Sequence, residues 1–261
     1  MGADLSTELG AKLLEAVNKN SLEEVQRLLR KREVDPAYDN NAALRAAAKN
    51  DQIKILNELL KIPVVYANAA ANDNEALRSA AEHNHHTTVV RRLLQIPVVS
   101  KNAHANNNEA LAWMIFHSKD DGNGPDYFDE VYSLLFRVEE VQKHAADNQN
   151  ELLKLAITNG HLPITQQLLK IRAVCEHAAD NENELVELAR RSEGYKGEHN
   201  SIVKQLKISA KQHAADTKKD TQEAKTLIFS DTTNKPESLP NASEPMEPKE
   251  PPEIPSHPKT H

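Results

Sequence analysis

One cysteine among 261 residues, Cys175, leaves nothing for an intrachain disulfide to form with and fits a reducing compartment. Seven glycines are too few for the many tight turns of a strand-rich chain, and aromatic residues at 4% are too few for a large aromatic-filled core. No apolar run approaches the roughly 20 residues that span a bilayer, so membrane insertion is not expected. Met1-Gly2-Ala3-Asp4-Leu5-Ser6 lacks the apolar region of a signal peptide. Gly2 and Ser6 fit the loose myristoylation pattern, but a pattern so short often arises by chance, and an unmodified terminus is the plainer reading. A net charge of -7 with no basic stripe argues against nucleic acid as a partner.

What the chain does hold is a phrase that returns. Asn41-Ala42-Ala43-Leu44, Asn74-Glu75-Ala76-Leu77, Asn108-Glu109-Ala110-Leu111, Asn150-Glu151-Leu152-Leu153 and Asn183-Glu184-Leu185-Val186 follow one another at steps of 33, 34, 42 and 33 residues. A second phrase keeps phase with it: Leu59-Leu60, Leu93-Leu94, Leu134-Leu135, Leu168-Leu169 and Leu206. A third marks the junctions, at Ala69-Ala70, Ala145-Ala146, Ala178-Ala179 and Ala214-Ala215. A fixed period of this size is the mark of stacked supersecondary units.

Within a unit, the run after each Asn places its apolar residues on one helical face, and the Asn reads as an N-cap. A polar turn follows, then a second amphipathic run such as Val89-Val90-Arg91-Arg92-Leu93-Leu94. Pro97 cannot continue that helix but suits the first turn of a short third one. Neither helix alone can bury its apolar face, so neighbouring units must stack. Residues 1–38 read as an N-terminal capping repeat, with Ser21 as N-cap of its second helix. The fold expected is all-α: a helical repeat solenoid of about six helix-turn-helix units over 39–215, interrupted near 118–130, with a disordered tail over 216–261.

The pattern resembles the ankyrin repeat family. Asn74-Glu75-Ala76-Leu77-Arg78-Ser79-Ala80-Ala81, then Asn84-His85, Val89-Val90 and Leu93-Leu94 stand where that family carries its first helix, turn and second helix; Gly160-His161-Leu162 with Leu168-Leu169 repeats the second half. The likeness covers about residues 9–215. It departs where ankyrins have β-hairpin fingers, because no glycine lies between Gly10 and Gly122 to take positive φ; helical or irregular connections are expected there. The Ile62-Pro63-Val64-Val65 dialect is similar to ankyrin-like effectors that intracellular bacteria deliver through type IV secretion. That resemblance implies a cytosolic protein, secreted into a host cell, that binds a host protein.

Candidate contact residues come from two places. The third unit swells by about eight residues and carries Trp113 and Phe116, then Tyr127 and Phe128 after an acidic loop. These aromatics read either as an interface patch or as fillers of an interrupted core. Family geometry places Arg45, Arg78 and Lys154 on the exposed face of the first helices, where residues vary on a fixed frame.

No catalytic, cofactor-binding or metal-binding residue is assigned. The loop from Asp121 fails as an EF-hand, with Pro125 at the fifth position and Tyr132 at the twelfth. His83, His85 and His86 read as turn residues, His144, His177 and His213 as periodic structural ones, and Cys175 as an ordinary junction residue rather than a nucleophile paired with His177. Phosphate loops and nucleophile elbows are missing from the sequence.

Beyond Thr217 the period stops, and eight of thirteen prolines fall between Pro236 and Pro258 among glutamates. Such composition cannot offset chain entropy. The tail reads as a solubilising segment, a polyproline ligand or, by the resemblance, a translocation signal. The expected protein is a monomeric, non-enzymatic binding scaffold. The alternative is a helical spacer that presents its tail to a receptor.

Overall fold

A computed structural model describes residues 5–82, 86–117, 126–191 and 196–231, without the side chains of 126–129, 196–199 and 224–231. The chain divides into two compact units, Met1–Asp216 and Thr217–His261. The described residues are helical, with no strand among them. The first unit opens with α1 (Leu5–Asn18) and α2 (Leu22–Leu29), then α3 (Tyr38–Lys49), α4 (Ile53–Leu59) and the short α5 (Pro63–Ala67). The same triplet returns as α6 (Ala71–Ala81), α7 (Thr87–Leu94) and α8 (Pro97–Lys101), and again as α9 (Ala105–His117), α10 (Asp126–Phe136) and α11 (Glu139–Lys143). It returns once more as α12 (Asp147–Thr158), α13 (Leu162–Leu168) and α14 (Arg172–Asp180), before α15 (Glu182–Arg191) and α16 (Lys196–Asp231). No helix among the described residues is long and apolar enough to cross a membrane.

The first helices lie in a row: α1 packs on α3, α3 on α6, α6 on α9, α9 on α12 and α12 on α15. The second helices α2, α4, α7 and α10 form a parallel row. One continuous apolar core runs between the rows, built from equivalent positions such as Ala43/Leu44/Ala47/Ala48, Ala76/Leu77/Ala80/Ala81 and Leu152/Leu153/Ala156/Ile157. Alanine at the tight positions lets neighbouring backbones approach, and leucine supplies the area, about 1.5–3 kcal/mol for each side chain taken fully out of water. Gly10 marks the closest approach: a Cβ built on it would stand 2.5 Å from Cβ of Tyr38.

Several local signals act as the sequence led us to expect. The Ser21 hydroxyl accepts from the Glu24 N–H at 3.4 Å, capping α2. Pro63 and Pro97 begin short third helices, where a missing N–H costs nothing. Between first and second helices the chain turns through a left-handed residue, Asn20, Asp51 or Gly160. Each carries the paired bonds of a Schellman end, as in Gln52 N–H to Ala47 O at 2.9 Å and Asp51 N–H to Ala48 O at 3.4 Å.

The junctions are helical and irregular as expected, with no strand among the described residues, but they reach positive φ in an unforeseen way. The connection into each of α3, α6, α9 and α12 is three consecutive left-handed residues: Asp39-Asn40-Asn41, Asn72-Asp73-Asn74, Asn106-Asn107-Asn108 and Asn148-Gln149-Asn150, with φ between 48° and 64°. Positive φ is therefore abundant without glycine. Asn and Asp tolerate this region because their short polar side chains crowd the backbone less and bond locally.

The repeat Asn is also not the N-cap it resembles. Asn41, Asn74, Asn108 and Asn150 are buried, and no hydrogen bond reaches their Oδ1 atoms among the described residues. Their Nδ2 groups instead donate across the triplet to the third helix or its end: to Val65 O and Asn68 O at 2.8 Å, Val99 O at 2.8 Å, His144 O at 2.9 Å and Val174 O at 3.0 Å. Each Asn thus ties the first helix of its triplet to the third. The fifth phrase lacks this device: Asn183 is exposed, and its junction contains no positive φ.

The third and last regions also depart from the reading. Residues 126–130, expected in an irregular insertion, are the first turn of α10, while 118–125 lie outside the described residues. In the second unit, helix α16 continues through Thr217 to Asp231, where disorder was expected. Residues 217–223 (Thr217-Lys218-Lys219-Asp220-Thr221-Gln222-Glu223) are rich in straight-chain helix formers, and Lys219 pairs with Glu223 at 3.9 Å across one turn. The Pro/Glu-rich segment 232–261 lies outside the described residues.

Candidate functional site

The outward face of the first helices is the surface where the repeat frame stays constant and the side chains change. Arg45, Arg78 and Lys154 occupy equivalent positions on α3, α6 and α12, and the structure uses all three internally. Arg45 pairs with Glu75 at 2.9 Å, Arg78 with Glu109, and Lys154 with Glu184 at 3.3 Å, each pair linking one unit to the next. Arg45 also donates to Asp39 O at 3.1 Å. Arg78 donates to Asp73 O at 2.9 Å and Asn72 O at 3.2 Å. The two guanidiniums thus gather carbonyls of the left-handed turn behind them. These side chains keep only 13% and 17% exposure, so they are rungs between units more than contacts on offer.

Sequence reasoning missed these rungs. The signal was present in the Glu that opens the next unit's phrase, three residues before the position of the next cation.

The ladder breaks at the third unit. Ala112 stands where Arg45 and Arg78 stand, and Glu151, opposite, has no ion-pair partner among the described residues. Beside the gap, Trp113 is half-buried against the core and Phe116 is 51% exposed. His117 ties them together, stacked on Trp113 at 3.8 Å and edge-on to Phe116 at 4.8 Å. So Trp113 serves partly as filler, and Phe116 presents most of its ring outward. The side chains of Tyr127 and Phe128, on the first turn of α10, lie outside the described residues. Further along that helix Tyr132 is buried and stacks on Phe136 at 5.5 Å; burial pushes its phenol well above the ordinary value, so it stays protonated.

Continuing the same rows, Leu155 and Leu188 take the Trp113 position on α12 and α15, and Thr158 and Arg191 take that of Phe116. Between α12 and α15 they line an open groove of about 600 Å³ with Glu151, Lys154, Glu184 and Glu187. Half-buried apolar floors with charged walls of both signs suit a polypeptide surface: aromatic and aliphatic anchors at the centre, polar groups at the rim.

Cys175 is a free, partly buried cysteine whose Sγ lies 3.1 Å from the Ser209 hydroxyl. His86 is buried at the start of α7; His83 and His85 lie outside the described residues. No family model, no curated protein and no solved structure matches this chain.

Proposed function

We propose that the chain is an ankyrin-like helical repeat scaffold that binds another protein through the outward face of α9, α12 and α15. The observation that carries this reading is the contrast between units. The first two units carry Ala46 and Ser79 at the position that holds Trp113, Leu155 and Leu188 from the third onward, and Lys49 and Glu82 where the third sets Phe116 outward, beside the gap that Ala112 leaves in the cation row. By the resemblance of the repeat dialect to bacterial type IV effectors, the partner is a host protein met in the host cytosol, and the tail is the part read by the secretion machinery. Family-level likeness sets this expectation; the site supplies the chemistry.

The test is affinity capture from candidate host lysate with the full chain, a Phe116→Asp/Leu155→Glu variant, and a chain lacking 217–261. A partner retained by the wild type and the truncated chain but lost from the double variant supports the reading. Identical captures from all three, or none above background, refute it. A partner lost only on truncation would favour the spacer alternative, which α16, running from the last repeat to Asp231, keeps in contention.

A further inference from the structure

His104, at the junction between the second and third units, converges with Glu140 and His144 at the junction between the third and fourth, with ligand-capable atoms all within 4.8 Å of one another. His104 precedes the left-handed turn into α9. Glu140 and His144 sit one helical turn apart along α11, with the His144 N–H bonded to Glu140 O at 3.2 Å, so both side chains share a face. The register between the two elements is fixed by Asn108, whose amide donates to His144 O at 2.9 Å. Measured from the left-handed turns, the His104 position is Ala37, Ala70 or Ala146 elsewhere, and the His144 position is Asp35, Asn68 or Asn102. Here the two imidazoles come together.

We propose that these three residues bind a zinc ion, which staples the junction ahead of the third unit to the one behind it, across the interrupted repeat. Two imidazoles and one carboxylate are a donor set suited to tetrahedral zinc with one open position. The supporting groups are in place. Asp147 Oδ2 lies 2.8 Å from His144 Nδ1, the carboxylate–histidine arrangement that holds a ring with its Nε2 lone pair free for a metal. His104 Nδ1 is buried with no hydrogen-bond partner among the described residues, an unsatisfied polar atom that calls for a ligand. The Lys143 ammonium hydrogen-bonds the Glu140 carboxylate at 3.0 Å. Lys143 also reaches Glu139 at 3.0 Å, which leaves it a carboxylate when Glu140 turns to a metal.

The two rings stack at 3.9 Å and 11°, so their lone pairs lie in nearly parallel planes and do not meet at one point. Closing on one ion requires one ring to turn about its Cβ–Cγ bond, a broad and soft torsion, and the ligand atoms to draw in to roughly 3.4 Å from each other. The staple is independent of what the outward face binds.

The experiment is calorimetric titration of the full chain with zinc chloride, backed by the visible spectrum of the cobalt-substituted protein. One ion per chain is expected, with affinity at least tenfold weaker in His104→Ala and His144→Ala and about tenfold weaker in Asp147→Asn. A His83→Ala/His85→Ala variant should bind as wild type. Zinc should raise the melting temperature of wild type and not that of His144→Ala. Should the alanine variants misfold by circular dichroism, His104→Gln and Glu140→Gln give the same reading at matched volume. Absence of saturable binding, or wild-type affinity in either single-histidine variant, overturns the proposal and leaves the stacked pair as a packing contact.

Discussion

The left-handed asparagine clamp makes a prediction with separable parts. Asn74 is fully buried at φ 63° and ψ 34°, and its Nδ2 donates to Val99 O at 2.8 Å. Replacing it with alanine removes that bond and puts a Cβ-bearing residue with no local polar compensation into the left-handed region. Val99 O also accepts from the Asn102 N–H at 3.2 Å, so the carbonyl is not orphaned and the lost bond costs about 1 kcal/mol. The conformational term adds about 1 kcal/mol, for a total near 2 kcal/mol. Glycine at the same position loses the bond but takes positive φ freely, so Asn74→Gly should cost only about 1 kcal/mol. Aspartate keeps the conformation but turns a buried carboxylate toward a carbonyl oxygen, and should be the worst of the three. Urea unfolding followed by far-ultraviolet circular dichroism, with Trp113 fluorescence reporting on the neighbouring unit, yields the three values. An Asn74→Ala chain within 0.5 kcal/mol of wild type would refute the clamp. A glycine variant as damaged as the alanine variant would refute the assignment of strain.

Other expectations follow from single contacts. Gly10→Ala places a methyl 2.5 Å from Tyr38 Cβ and should cost about 1–3 kcal/mol by forcing α1 and α3 apart, measured by thermal unfolding. Tyr132→Phe removes a buried hydroxyl that has no hydrogen-bond partner among the described residues; stability should be unchanged or raised by up to about 1 kcal/mol, and a loss above that would reveal a missed partner. A double-mutant cycle on Arg78→Ala and Glu109→Ala should give a coupling of about 0.5–1 kcal/mol that shrinks in high salt, since the pair is partly exposed. A salt-independent value would mean that the guanidinium acts only through its carbonyl bonds.

The stacking of units was legible because burial imposes a period that any sequence shows, and the Ala/Leu frame kept it. Ser21 and Pro97 were legible because capping and N1 chemistry are local. The asparagines were read wrongly for a physical reason. An N-cap and a left-handed clamp both call for Asn at a helix start, and the two differ only in which partner the side chain meets. That partner is a carbonyl 24 to 36 residues downstream, which no local pattern specifies. The cation rungs were missed similarly: Arg45 and Arg78 look like exposed charges until the following unit's glutamate is placed against them. His104 escaped notice because it stands outside the periodic His-Ala-Ala phrase, four residues before Asn108.

In a repeat protein the constant positions report on folding, so function is sought where a unit departs from its sisters without a structural need. The third unit departs in several ways at once. Alanine replaces the rung cation at 112, and Met114 and Ile115 fill core sites that are Ala80 and Ala81 one unit earlier. His104 replaces an alanine, Glu151 is left without its pair, and Phe116 is set outward. The larger core residues can offset the lost rung locally, since added buried carbon stabilises by about 0.8 kcal/mol per methylene against the 0–1 kcal/mol of an exposed ion pair. They do not account for an outward phenylalanine, which stability alone would not select. Restoring the frame with Ala112→Arg should therefore rebuild the rung to Glu151 without harming the fold, and would crowd the Trp113–Phe116 face with a bonded guanidinium. Partner capture that falls in this variant while its unfolding midpoint holds or rises would separate the binding role of this unit from its structural one; capture at wild-type level would place the contact elsewhere.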